Sequence, residues 1–381
     1  MRRILLALGA TAIVGCSPVH ASPPDSPPAD VAAMVPDIIS PRPSVTEAER
    51  DRVPSFPGGG RILYMPGSST GYIQGIGVVW PDGRSLTFRA TKETFPYWDP
   101  DANADLLTIE SDSPRQHAVS YRITGDELRR VDSWRLDGGV FAVFSPDGRW
   151  IAEPAFNGRG RMREGVIRLV DRETGEASRL RTGFTPLGWS PDGRLIAEPT
   201  GGGGIVLWTP GTGRTTELST SSRFVLGEIM WSPDGSKFAT RVSYGIDDSK
   251  HGISIGRTGG DLAVVSTFGR RWIELPTWSP DGRQIAFLVR GDGRTGHRHS
   301  ELVVYDLETA IGTVVADDVS DAFWASWSPD GKWLLVDDWT RHRWLFVAAD
   351  GSERIPYPRL GHFPRWCCPS SPPIDVPIPV C

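Results

Sequence analysis

Lysine is nearly missing from this chain. Only 4 of the 41 basic residues are Lys, against 37 Arg. Formal net charge is -5 over 381 residues, and -7 once Arg2 and Arg3 near the start are set aside. A net acidic chain is not a general nucleic-acid binder. The arginine bias reads as codon base composition, not as a phosphate-binding signal. Cysteine is scarce too, with Cys16 at one end and Cys367, Cys368 and Cys381 at the other. The body of the chain therefore has no disulfide framework. Long apolar runs are absent: residues 4–14 form a stretch of 11, too short to span a bilayer as a helix. H-E-x-x-H does not occur. Residues 201–204 are all glycine but lack the Lys-Ser/Thr and the helix of a phosphate cradle, so they read as a hairpin.

Glycine, proline and tryptophan are plentiful. The 43 Gly and 33 Pro make 20% of the chain, against about 12% in average proteins. Both residues are costly inside helices, which disfavours a helix bundle. With 15 Trp and 39% hydrophobic residues, a sizeable core is available. A turn-rich all-β protein fits this composition.

The first residues read as an export signal. Arg2-Arg3 precede the apolar stretch, and Ile13-Val14-Gly15-Cys16 has the form of a bacterial lipobox. Residues 1–15 are then a lipoprotein-type signal peptide, and Cys16 carries the lipid. A rival cleavage site, Val19-His20-Ala21, implies a soluble secreted or periplasmic protein instead. Residues 16–59 read as a Pro-rich tether. A short helix is expected at 45–52, where Ser44 and Glu47 have capping spacing and Pro43 and Pro54 bracket the segment. Residues 370–381 form a tail. Outside the cytoplasm a disulfide from Cys381 to Cys367 or Cys368 is expected, since adjacent cysteines rarely bond each other.

A repeat organises residues 60–369. Trp189-Ser-Pro-Asp-Gly193 recurs from Trp231, Trp278 and Trp327; Phe144 heads a variant, and Trp98-Asp-Pro-Asp-Ala102 is a degenerate copy. Successive anchors are 46, 45, 42, 47 and 49 residues apart. After each anchor come two apolar runs, a turn and a last short run, which makes four strands per unit. Ser-Pro-Asp-Gly suits a tight turn between the first and second strands, because Pro presets φ and Gly accepts positive φ. The preceding Trp is expected to pack between units. Four-stranded units of about 45 residues mean a β-propeller. No Trp-Asp ends a unit, so the WD40 signature is missing. The units resemble the TolB-type (PD40) propeller repeat. That resemblance covers residues 60–369 and implies extracytoplasmic protein–protein work. Residues 61–95 lack an anchor but hold three strand patterns, and Phe363-Pro-Arg-Trp366 supplies the missing first strand. Six complete units and this composite give seven blades; six is the alternative if the tail does not pair.

The loops between second and third strands, and the links between units, vary most and are expected to carry the binding surface. Candidates are Arg159, Arg161 and Arg163; Asp247, Asp248 and His251; His297, Arg298 and His299; and Trp339 and Arg341. The pairs Asp247-Asp248, Asp317-Asp318 and Asp337-Asp338 lack calcium-ligand spacing and read as solvated edges. No metal, cofactor or catalytic residue is expected. The leading reading is a monomeric, lipid-anchored envelope protein that binds a protein partner without catalysis. Its competitor is a propeller hydrolase or lyase with a site in the central channel.

Overall fold

The computed structural model describes residues 46–367, leaving out 48, 69–70, 73–74, 90–92, 99–105, 113–114, 125–126, 137–141, 157–161, 182, 200–204, 211, 220–224, 245–249, 258–262, 270, 291–298 and 323–324. The described residues are all strand and turn, in seven antiparallel sheets. Each sheet runs in chain order from an inner first strand to an outer fourth, with one exception.

The exception is the first sheet. Its inner strand is Gly361–Cys367, followed by Arg61–Ser68, Gly75–Val79 and Arg84–Arg89. Ile62 lies opposite Trp366 and Leu63 opposite Arg365. The end of the chain thus completes the sheet begun at residue 61. The second sheet is Glu93–Trp98, Leu106–Asp112, Arg115–Thr124 and Glu127–Leu136; the third is Val143–Phe144, Trp150–Phe156, Met162–Asp171 and Ala177–Arg181. Phe184–Trp189, Leu195–Pro199, Ile205–Trp208 and Thr215–Ser219 make the fourth; Val225–Trp231, Phe238–Tyr244, Lys250–Gly256 and Ala263–Thr267 make the fifth. The sixth is Thr277–Trp278, Gln284–Arg290, His299–Asp306 and Ile311–Ser320, and the seventh is Ala325–Trp327, Trp333–Asp338, Arg343–Ala348 and Arg354–Pro358.

Apolar cores between neighbouring sheets close these seven into a cycle. Val78 and Phe88 of the first meet Leu106 of the second. Trp134 meets Ile151, Leu169 meets Trp189, and Leu207 meets Phe238. Ile253 then meets Phe287, and Leu302 meets Leu334. Phe346 of the seventh sheet returns to Ile62 and Trp366 of the first. Each fully buried aromatic or aliphatic side chain contributes roughly 1.5–3 kcal/mol.

The Ser-Pro-Asp-Gly turns show why that sequence repeats. In all five the Gly N–H returns to the Ser carbonyl, at 2.8–2.9 Å. The Ser hydroxyl donates to the Asp carboxylate two residues on, at 2.6 Å in Ser232, Ser279 and Ser328. The same oxygen accepts the N–H of the following strand, as from Trp333 at 2.9 Å. These Ser side chains are buried, so their polar groups are matched internally. The preceding Trp acts across sheets. Trp189 Nε1 donates to the Val143 carbonyl at 3.0 Å, Trp278 Nε1 to Met230 at 2.8 Å, and Trp327 Nε1 to Thr277 at 3.2 Å. Each acceptor sits just before the anchor of the preceding unit. Trp231 breaks the pattern, since its Nε1 is buried without a hydrogen-bond partner. The Trp98 side chain lies outside the described residues.

The described residues of the 45–52 segment form strands and not the expected helix. Thr46–Glu47 pairs with the outer strand of the second sheet, and Glu49–Arg52 with that of the first. Outer edges with unpaired backbone groups favour added strands, and this overrides the local capping signal. The last part of the segment read as a tether therefore belongs to the sheets, while residues 16–45 lie outside the described residues. The chain then crosses to the seventh sheet. Phe56 stacks on Phe346 with ring centroids 5.6 Å apart, and the Tyr357 hydroxyl donates to the Pro54 carbonyl at 2.6 Å. Gly58, at φ +83°, passes so close to Trp366 that a Cβ there would lie 2.7 Å from its ring.

Candidate functional site

Strand alternation puts the Ser-Pro-Asp-Gly turns on one side of the sheets. The second-to-third-strand loops and the inter-sheet links lie on the other. Two junctions on this long-loop face have described side-chain networks, one between the seventh and first sheets and one between the fifth and sixth.

At the first junction Trp333–Asp338 ends in adjacent carboxylates. Asp338 is 0% exposed and Asp337 9%. These are not solvated edges: their partners reach them from other elements. Asp338 accepts from Arg343 Nε at 2.8 Å, from Arg341 Nη1 at 3.3 Å and from the Ser320 N–H at 3.1 Å. Arg341 also donates to the Asp318 carbonyl. Asp337 accepts from Arg359 Nη2 at 2.9 Å, and the same nitrogen lies 2.8 Å from His362 Nδ1. Guanidinium only donates, so Nδ1 is the acceptor and the imidazole is neutral. Arg359 covers the Trp339 ring at 4.2 Å, and His362 lies 4.6 Å from the same ring. Phe363 follows with φ +54°, a conformation that costs a bulky residue roughly 1–3 kcal/mol.

Burial raises the Asp337 carboxyl to about 6, against the pull of Arg359 and the Phe363 N–H. Burial and then the Arg359 charge lower His362 to about 4.

The second junction repeats the theme. Trp272 sits in the link between the fifth and sixth sheets. Arg241 covers its ring at 4.5 Å, and His251 packs edge-on at 5.0 Å. Beside it Glu274, 8% exposed, forms an ion pair with Arg290 across 2.5 Å. Burial pushes the Glu274 carboxyl up. Arg271 bridges to Glu301 at 2.9 Å.

Of the residues singled out from the sequence, Trp339 and Arg341 lie on this face. His299 is exposed at the start of its strand, opposite Ser320. His251 differs from expectation: it is a strand residue buried against Trp272, not a free loop side chain. Arg163 falls in the strand Met162–Asp171, and Cys367 ends the last strand, but their side chains lie outside the described residues. Cys16, Arg159, Arg161, Asp247, Asp248, His297, Arg298, Cys368 and Cys381 lie outside them altogether.

Sequence reasoning did not place Trp272, Arg359, His362 or Phe363 on the long-loop face. The available signal was an aromatic residue placed in a link, where no strand pattern buries it. It also missed Gly67-Ser-Ser-Thr-Gly71, which has the G-x-S-x-G spacing of a nucleophile elbow. Gly67 pairs with Tyr72 as a strand hairpin, so the strand–turn–helix context of that motif is missing. Among the described residues no group of three or more His, Cys, Asp or Glu is placed to hold a metal, and no helix is long and apolar enough to cross a membrane.

No known family description matches the sequence, and no curated protein matches it. Solved structures do. An oligogalacturonate lyase in complex with manganese shares 13% identity over 80% of this chain and 97% of its own, with a TM-score of 0.54. The oligogalacturonate lyase of Vibrio parahaemolyticus shares 12% over 83% and 97%, with a TM-score of 0.52. TolB from Acinetobacter baumannii shares 19% over 81% of this chain and 66% of that one, with a TM-score of 0.49. At these identities likeness extends to architecture alone: the chain has the all-β propeller fold.

Proposed function

We propose that this is an exported propeller, lipid-anchored through Cys16, whose long-loop face binds a protein partner in the cell envelope without catalysis. The TolB-type reading rests on the Trp-Ser-Pro-Asp-Gly repeat, and the cycle of seven sheets supports seven blades. One observation carries the binding surface. Trp272, Trp339 and Phe363, the three exposed large aromatics among the described residues, all lie on this one face. They are 36%, 37% and 39% exposed and stand beside buried ion pairs that hold neighbouring backbone in place. Aromatic and arginine side chains on a rigid support are the usual anchors of protein interfaces. Among the described residues the turn side also carries arginine–tryptophan stacks, Arg84 on Trp80 at 4.2 Å and Arg149 on Trp150 at 4.9 Å, but those rings are less exposed.

Affinity capture with the purified protein tests this reading. Trp339→Ala with Trp272→Ala is expected to weaken a captured partner at least ~30-fold, since two anchors contribute ~1–2 kcal/mol each. The variant should stay folded with a lower melting temperature, because His251 and Arg241 lose Trp272 and Arg359 loses Trp339. Equal capture by the variant and the parent protein would place the surface elsewhere.

A further inference from the structure

The link that carries the chain into its closing strand is held by one guanidinium nitrogen. Arg359 Nη2 contacts Asp337 Oδ2 on one side and His362 Nδ1 on the other, at 2.9 and 2.8 Å. His362 and Phe363 follow this link on the long-loop face, and Arg359 covers the ring of Trp339 from the second-to-third-strand loop of the seventh sheet. We propose that Asp337, Arg359 and His362 form a proton-sharing clamp that keeps this face in one shape as the surrounding pH falls. The proposal deepens the binding-face reading above and rests on it for significance, but its test needs no partner.

Geometry sets the protonation of the closed clamp. A proton on Nδ1 would set N–H against N–H, so closure keeps His362 neutral. Asp337 sits beside Asp338, which already takes two arginines, and among the described residues its own partners are Arg359 and the Phe363 N–H. Burial there favours the uncharged carboxyl. Other charged groups around the clamp are Arg341, His342 and Arg343 from the Trp339 loop, and Asp318 and Asp321 from the sixth sheet. Arg341 and Arg343 are committed to Asp338, and Thr340 donates to Asp321 at 3.1 Å. His342 adds a weak push against a proton on His362.

The signs then oppose. Asp337 titrates near 6 when closed and near 3.8 when released, so acidification through this window favours closure. His362 titrates near 4 when closed and near 6.5 when released, so acidification through the same window favours opening. At about pH 5 the closed clamp holds its proton on Asp337 and the open one on His362. Opening transfers one proton between them and takes up almost none from solution.

The test is reversible denaturant unfolding of the full chain from neutral pH to about 4. Wild type, Asp337→Asn, His362→Gln and the double variant are compared. Relative to wild type, Asp337→Asn should lose stability as pH falls, and His362→Gln should gain it. Each slope is bounded at ~10-fold in the folding equilibrium per pH unit, the limit for one proton. The His362 slope should be shallower because that ring is half-exposed. The double variant should parallel wild type. Profiles for Asp337→Asn and His362→Gln that run parallel to each other would overturn the clamp. Should Asp337→Asn not fold, the His362 imidazole shift in wild type decides: titration near 4 supports the clamp, and titration near 6.5 overturns it.

Discussion

Trp366→Ala is expected to cost ~3–5 kcal/mol, the range for truncating a buried tryptophan. Trp366 is 1% exposed and touches everything that closes the cycle. Its ring centroid lies 5.3 Å from that of Phe346 in the seventh sheet and 5.8 Å from that of Phe56 in the incoming segment. Its Nε1 donates to the Gly59 carbonyl at 2.7 Å, and its backbone N–H to Ser326 Oγ at 2.9 Å. Alanine removes the ring that joins the first and last parts of the chain. It leaves a cavity that Gly58 cannot fill and strips the Gly59 carbonyl of its donor. The loss should appear in urea unfolding, with new protease cleavage at residues 53–60 before global unfolding. A cost below ~1 kcal/mol would mean that closure depends on backbone pairing alone.

Asp338→Ala is the second large effect, at ~3–5 kcal/mol. The carboxylate is fully buried and anchors Arg343, Arg341 and the Ser320 N–H. Removing it leaves two guanidinium groups near each other without their shared counter-charge. Both arginines are about one-third exposed, so water recovers part of the loss and the lower end of the range is expected. Asp338→Asn keeps an acceptor for Ser320 and should cost less than alanine. Thermal unfolding of the two variants gives the order. Asparagine as damaging as alanine would show that charge, not the hydrogen bond, holds the Trp339 loop.

The architecture was legible because it repeats. Ser-Pro-Asp-Gly marks the inner strand and first turn of five sheets, and Phe363-Pro-Arg-Trp366 was recognisable as a displaced first strand because residues 61–95 hold three strand patterns without an anchor. The 45–52 segment was misread for a physical reason. Ser44 and Glu47 carry a real local helix signal, but the outer edges of two sheets offer backbone partners that a local signal cannot report. Asp337 and Asp338 were misread likewise. Adjacent acids look solvated in a sequence, and their arginines at 341, 343 and 359 have no periodic relation to them. Strand alternation in the sequence separates the long-loop side from the turn side. The exposure of Trp272 and Phe363 on the long-loop side was not legible, because it depends on how the chain passes between sheets.

The central claim is that partners meet the long-loop face and not the turn face. A photo-crosslinking residue in place of Thr340, on the long-loop face, and another in place of Asp350, on the turn face, test it in living cells. The account predicts a discrete protein adduct from position 340 and none from 350. An adduct from 350 with none from 340 would contradict it.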